Sequence, residues 1–457
     1  MTRPERRREK KKYEKDFAAF SRIMKQYFPK FTEWMRELRD PRKFWTYEME
    51  VMLMTVIMKN ICNICSMQKM TDEFLKEECV ENLCRVLGIQ PHEFLPHYVT
   101  INKFLARPGT EELERLRKRM ICALLRRRKF GDARFLGKYW LVIFDATGLF
   151  RFSERHCPHC LKKVINKGTA EEKEVYYHHV PEAKLVLGDG FVISIGTEFI
   201  ENENEDVSKN DCETKAFKRL AERLKKEYPR LPVCVLADSL YASEPVFERC
   251  IHDNKWHVLL RYKDGSIPSI AEEYRSIADM GEAEEPDRQI AREYPRKGKI
   301  KEKHHMEWVP EIDYRGYKLT LPALEIEAES EKSGKKETKT FQWLTDLGVT
   351  GKNAGEFART GRGRWQIENE GFNLQKNIRY DIRHADSEDY NAMKCHYLLT
   401  QTADILLQLY EKGNPGIREA KREIKKISSD LLKSFGERLT GEDILFITAH
   451  GYVKAVT

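Results

Sequence analysis

The stretch Tyr139–Gly148, "YWLVIFDATG", decides the fold. A short, fully apolar run that ends at an Asp and a Gly reads as a buried strand emptying into a loop. Two strand candidates follow, "KLVLGD" (184–189) and "FVISIGTEFI" (191–200), with Gly188-Asp189-Gly190 between them as a hairpin signal. "CETKAFKRLAERLKKEY" (212–228) reads as a helix, and "LPVCVLADS" (231–239) as a second buried strand closing on an acid. "SEPVFERCIHDN" (243–254) suits a helix and "WHVLLRYK" (256–263) a strand. Three strands, helix, strand, helix, strand define a mixed α/β layered sheet.

Working outward, the texture changes on both sides. From Phe17 to Lys129 apolar residues recur at three and four spacing, so this region is expected to be helical. Breaks fall at Asp40-Pro41, Gln90-Pro91 and Arg107-Pro108-Gly109. Downstream, Gly265 to Ile300 is charged and Pro-containing and is expected to be irregular. Alternation returns in "YKLTLPALEIEAES" (317–330) and "TKTFQWLTDL" (338–347), the mark of a small β-rich insertion. From Asn353 the chain reads as helical again. The expected division is an N-terminal helical region at 1–135, a core at 136–264, the insertion at 265–350, a second core part at 351–412 and a helical tail at 413–457.

Asp145 and Asp238 each close an apolar strand, which holds a carboxylate on a rigid element facing the sheet's end cleft. Either could instead cap the turn that follows. Gathered on neighbouring strands, however, two carboxylates repel, and such a site usually carries a cation. A third acid comes from helix geometry. Arg364, Glu368, Phe372 and Lys376 are spaced by four, and at about 100° per residue each step drifts only ~40°, so they share one stripe. Glu370 lies ~200° from Glu368, on the opposite side. A stripe of cation, carboxylate, aromatic and cation suits a surface facing metal and phosphate; its plain alternative is an exposed i, i+4 ion pair.

Composition narrows the class. Across 457 residues the net charge is +8, a surplus that fits a polyanionic partner. The opening "TRPERRREKKKYEK" concentrates Arg and Lys, either as a solvated helix start or as a phosphate-touching arm. No apolar stretch follows these first charges, so a secretory signal is not expected. The 11 cysteines are odd in number, and a reducing cytoplasm is the expected setting. The apolar run Val51–Met58 is far shorter than the ~20 residues of a membrane span.

"FDATG" (144–148), "LADSLYA" (236–242) and "GRWQIENEGFNLQK" (363–376) together resemble the DDE-type insertion-sequence transposases, closest to insertion sequence family four. The resemblance implies a ribonuclease-H-like core, with Asp145 on the first core strand, Asp238 in an Asp-x-x-Tyr context after the fourth, and a β-rich insertion before the catalytic Glu. The family pattern Tyr-x2-Arg-x3-Glu-x6-Lys falls on Arg364 and Glu368. Gly361 stands at the Tyr position, and Lys376 falls one residue past the Lys position. Glu368 comes 130 positions after Asp238, with the β pattern between them. The activity implied by this resemblance is that of a cut-and-paste transposase: Asp145, Asp238 and Glu368 hold two Mg²⁺ (or Mn²⁺) ions about 4 Å apart, and Arg364 and Lys376 contact phosphate. The expected partners are the element's terminal inverted repeats and target DNA, handled by a homodimer at a prokaryotic nucleoid, with no membrane. Two alternatives stay open: a ribonuclease-H-like nuclease without strand joining, and a non-catalytic DNA-binding descendant.

Two further signals stand apart. Cys157-Pro158-His159-Cys160 is half of a zinc pattern, with His178, His179 and Cys212 as candidate further ligands, whereas Cys62 and Cys65 read as helix core. Trp343 and Trp308 flank the insertion. A related transposase architecture stacks an aromatic there on a flipped base, while core packing is the plain role.

Overall fold

The fold is given by a computed structural model that describes residues 15–188, 190–205, 210–263, 265–279, 287–294, 298–330, 336–414, 417 and 422–448, with several, 365–370 among them, described by backbone alone. The basic opening segment lies outside these residues.

The decisive stretch forms β1 (Trp140–Phe152), which does not stop at Asp145. It runs on because β3 (Lys173–Val186) accompanies it antiparallel from Val142 to Phe152, with a register shift between Gly148 and Arg151. β4 (Val192–Thr197) pairs with β3, and β2 (Leu161–Ile165) with the outer half of β3. On the other side of β1, β5 (Val233–Ala237) and then β6 (His257–Tyr262) run parallel to it. Three antiparallel strands followed by two parallel ones, with helices between, make this core ribonuclease-H-like. Gly188 and Gly190 hold positive φ in the β3–β4 turn, which accounts for the glycines of that hairpin signal.

The β-rich segment is not a separate unit. β7 (Asp287–Tyr294), β8 (Gly298–Tyr314), β9 (Tyr317–Ser330) and β10 (Lys336–Thr345) continue the same ten-stranded sheet, with β10 antiparallel to β6. The expectation of irregular chain from Gly265 to Ile300 is corrected here. A helix covers Pro268–Asp279, with Ile270 fully buried, and β7 follows it. Glu272 and Arg275 lie on exposed positions and mask the short apolar face.

Alternation along β1, β5 and β6 sends side chains to two covers. Phe144 meets Phe217 of α8 (Glu213–Glu227) edge to face at 4.8 Å. Ile143, Leu236 and Leu259 pack instead with Ala354, Phe357 and Ala358 of α11 (Ala354–Ile367). The early region is helical as expected, including α3 (Met49–Ile61), α5 (Glu77–Leu87) and α7 (Thr110–Leu125). It packs around the 24-residue α12 (Tyr390–Gly413), which also touches β4, so helices and sheet share one hydrophobic core.

Gly361 explains how closely α11 lies on the sheet. A Cβ there would sit 2.3 Å from Cε2 of Trp343, which is 1% exposed. Mid-helix glycine costs about 1 kcal/mol against alanine, but the indole fills the space alanine needs. Gly361→Ala is therefore expected to lower unfolding free energy by about 1–3 kcal/mol. In a denaturant double-mutant cycle with Trp343→Phe, a smaller ring should reduce that loss.

Candidate active site

The register of β1 with β5 sets the site. Ile143 is level with Leu236, and two residues further along each strand stand Asp145 and Asp238. Neighbouring strands lie about 4.8 Å apart, so the two acids are side by side on the face covered by α11. β5 has ended at Ala237, which opens the space beyond it. Asp145 Oδ1 accepts the Ala146 N–H at 3.0 Å, and Asp238 Oδ1 accepts the Leu240 N–H at 2.8 Å. The capping role weighed for Asp238 is thus real and leaves its second oxygen outside that bond.

Burial pushes the half-buried Asp145 carboxyl up to about 6, and the charges of Asp238 and Glu213 add to the rise. Arg364 and the Ala146 N–H pull it the other way. Arg364 stands on α11 seven residues after Phe357, the residue that anchors the helix over Ile143 and Leu236. That spacing keeps both on one helical face. At Glu368 the helix widens into a π-helical stretch (Glu368–Asn373), a distortion often found at functional sites. The Glu368 side chain lies outside the described residues.

The regular stripe does not extend as expected, because the π-helix replaces the 100° step. Phe372 is 3% exposed, its ring covered by the Lys184 ammonium at 4.8 Å and the Lys376 ammonium at 5.8 Å. Trp343 is corrected as well: its 1% exposure leaves no ring face for a flipped base, and its role is packing.

Two residues join the site that the sequence did not mark. Glu213 opens α8 and accepts the Tyr241 hydroxyl at 2.6 Å. Burial raises its pKa and Asp238 adds to that, against the Tyr241 hydrogen bond. In sequence it looked like an ordinary acidic first turn. Lys184 is fully buried on β3, and among the described residues its Nζ makes no hydrogen bond. Burial lowers its pKa, while Glu182, Asp404 and Asp145 hold its charge. A lysine inside "KLVL" was the available signal.

The zinc candidates divide. Cys157 Sγ and Cys160 Sγ are 3.6 Å apart, and each lies 3.4 Å from His178 Nε2. His179 is not part of that group. It is next in the strand and faces the other way, and burial, helped by Lys376 and Lys163, lowers its pKa to about 4. Cys212 is exposed, and so is Cys65, which lies past the helix on which Cys62 is buried.

The ribonuclease-H-like sheet thus levels two carboxylates under an arginine-bearing helix. Residues 197–403 match the family model of the transposase DDE domain. The match supports a DDE-type transposase. The match takes in Asp238, the sheet extension, α11 and most of α12; Asp145 precedes it. No curated protein matches the chain. Among the described residues no helix is long and apolar enough to cross a membrane.

The Asp145 pKa gives a testable sign. From 3.8 it rises to about 6 on folding, so its contribution is full below the lower value and lost as pH rises through the upper one. Asp145→Asn removes that loss. In chelator near neutral pH the variant should be more stable than wild type by about 1–3 kcal/mol, with the gap closing toward acid. Chemical melts at several pH values check this.

Proposed function

We propose that this transposase cuts DNA at the ends of its element and joins the freed 3′-hydroxyl to target DNA, as a cut-and-paste enzyme of the insertion sequence family four type. The observation that carries the reading is the level pair Asp145 and Asp238 facing α11, with Arg364 close enough to act on Asp145. The donor set fits divalent ions: burial and mutual repulsion raise the cost of leaving these carboxylates ionised, and a cation removes that cost. Asp145, Asp238 and Glu368 are the residues that would hold Mg²⁺ or Mn²⁺. Two such ions, when bound, would supply activation of the attacking oxygen and neutralisation of the leaving one.

The chain's own part is placement. Asp145 stands within β1 and Asp238 just past the end of β5, so the scissile phosphate is presented to a fixed edge. Arg364 orients that phosphate, and Lys376 provides a second positive contact. In the first displacement a water oxygen bonds to phosphorus and the 3′-oxygen leaves with the electron pair. In the second, that 3′-hydroxyl attacks a target phosphodiester and its 3′-oxygen departs. Both are in-line exchanges at phosphorus, so one site serves both. The helical region through residue 135 would grip DNA and support a homodimer that pairs two ends, on nucleoid DNA in a prokaryotic cytoplasm.

The test is strand transfer by the full chain with DNA bearing its element's ends, under Mg²⁺ and Mn²⁺. Wild type should cleave and join. Asp145→Asn, Asp238→Asn and Glu368→Gln should bind the ends yet lose both steps by at least about 10³-fold, on the scale of about 4 kcal/mol of transition-state stabilisation. Arg364→Ala should lose about 10–100-fold. Wild type that binds ends but never cuts would favour a non-catalytic DNA-binding descendant; cutting without joining would favour a nuclease.

A further inference from the structure

The segment between β1 and β2 turns back on itself at Cys157–Cys160. The Cys160 N–H donates to the Cys157 carbonyl at 3.2 Å and the Cys157 N–H to Cys160 Sγ at 3.4 Å. This knuckle aims both sulfurs at His178, whose position is fixed independently by β3. Cys160 is 0% and His178 1% exposed, with Cys157 half-buried. The ring of His178 stacks on Tyr390 at 4.3 Å and 21°, which fixes its plane from the first residue of α12.

The three distances match a tetrahedral metal site. Zn–S and Zn–N bonds of about 2.3 and 2.05 Å at tetrahedral angles put two sulfurs about 3.8 Å apart and each about 3.5 Å from the nitrogen. The observed separations are 3.6, 3.4 and 3.4 Å. One imidazole nitrogen can make a single hydrogen bond, yet two sulfurs approach it equally. The neighbouring histidines are committed elsewhere: His156 Nε2 meets the Glu388 carbonyl at 2.9 Å, and His159 Nδ1 meets the Asn202 carbonyl at 2.9 Å.

We propose that Cys157, Cys160 and His178 bind one Zn²⁺, with water as the fourth ligand on the half-exposed Cys157 side. The ion staples the β1–β2 turn to β3 and, through Tyr390, to α12. Binding displaces the two thiol protons to solvent and involves no change of oxidation state. The site shares no residue with the Asp145 cluster, so it stands or falls separately from the transposition reading.

Metal content of the full chain, purified without chelator, tests this, together with Co²⁺ replacement. Wild type and His179→Ala should hold one zinc per chain. Their Co²⁺ forms should show tetrahedral d–d bands and thiolate-to-cobalt charge transfer. Cys160→Ser and His178→Ala should lose the metal and lower the melting temperature, as chelator does to wild type. The proposal is overturned if wild type holds no zinc and gives no cobalt spectrum, if Cys157 and Cys160 prove disulfide-bonded, or if His178→Ala retains metal as His179→Ala does. Should Cys160→Ser fail to fold, the wild-type spectrum and the paired histidine variants still decide.

Discussion

The parallel pairing of β1 with β5 is the constraint on which the rest of this structure depends. Because side chains alternate along a strand, a one-residue slip would turn Asp145 or Asp238 to the α8 side. The slip is blocked from both faces at once. Ile143 and Leu236 fit beneath Phe357, and Phe144 meets Phe217. Core packing thus specifies which two carboxylates meet, and the early end of β5 gives them an open edge. A tight apolar core and a costly acidic edge are two consequences of one register.

A buried polar layer holds the surrounding helices to that sheet. Asp404 on α12 accepts hydrogen bonds from Gln375, Arg379, Tyr380 and Gln408, at 3.0, 3.1, 3.1 and 2.8 Å. Three of these donors come after the π-helical stretch, so the helix that carries Glu368 is tied down just beyond it. Glu182, level with Asp145 on β3, accepts from Ser194 and Thr197, and both of these also accept from Arg117 of α7. Such networks add little net stability over apolar packing, since desolvation offsets the attraction. What they do impose is an arrangement in which each charge has one acceptable partner set. For a site built from three separate elements, that selectivity matters more than the gain in energy.

The parts legible in the sequence were those governed by local physics. The apolar runs of β1, β5 and β6 announced buried strands, and the breaks at Pro and Gly marked the helical region. Asp145, Asp238 and Arg364 could be singled out because strand ends and helical spacing are local properties. The features that stayed hidden depend on partners distant in sequence. β1 continues past Asp145 only because β3 pairs with it. Trp343 is buried because Gly361, eighteen positions later, leaves room for it. The choice of His178 over His179 rests on strand alternation relative to a turn whose fold the sequence did not disclose. The π-helical widening at Glu368 has no sequence mark that spacing rules could detect.

The sheet extension has a positional consequence of its own. Between β6 and α11 the chain makes a long excursion, yet it returns as β10 hydrogen-bonded to β6, with Thr345 level with Leu259. Asp346 then accepts from the Val258 N–H at 2.8 Å and meets His257 Nδ1 at 2.7 Å. The start of α11 is therefore pinned to the core sheet whatever the length of the excursion. Loop-closure entropy rises only slowly with length, so the strands between can vary at small cost while the last one cannot. From that pinned start, Phe357 and Gly361 lay the helix flat on the sheet and carry Arg364 to Asp145. The extension is thus a structural route by which the third element of the site is brought back to the first two.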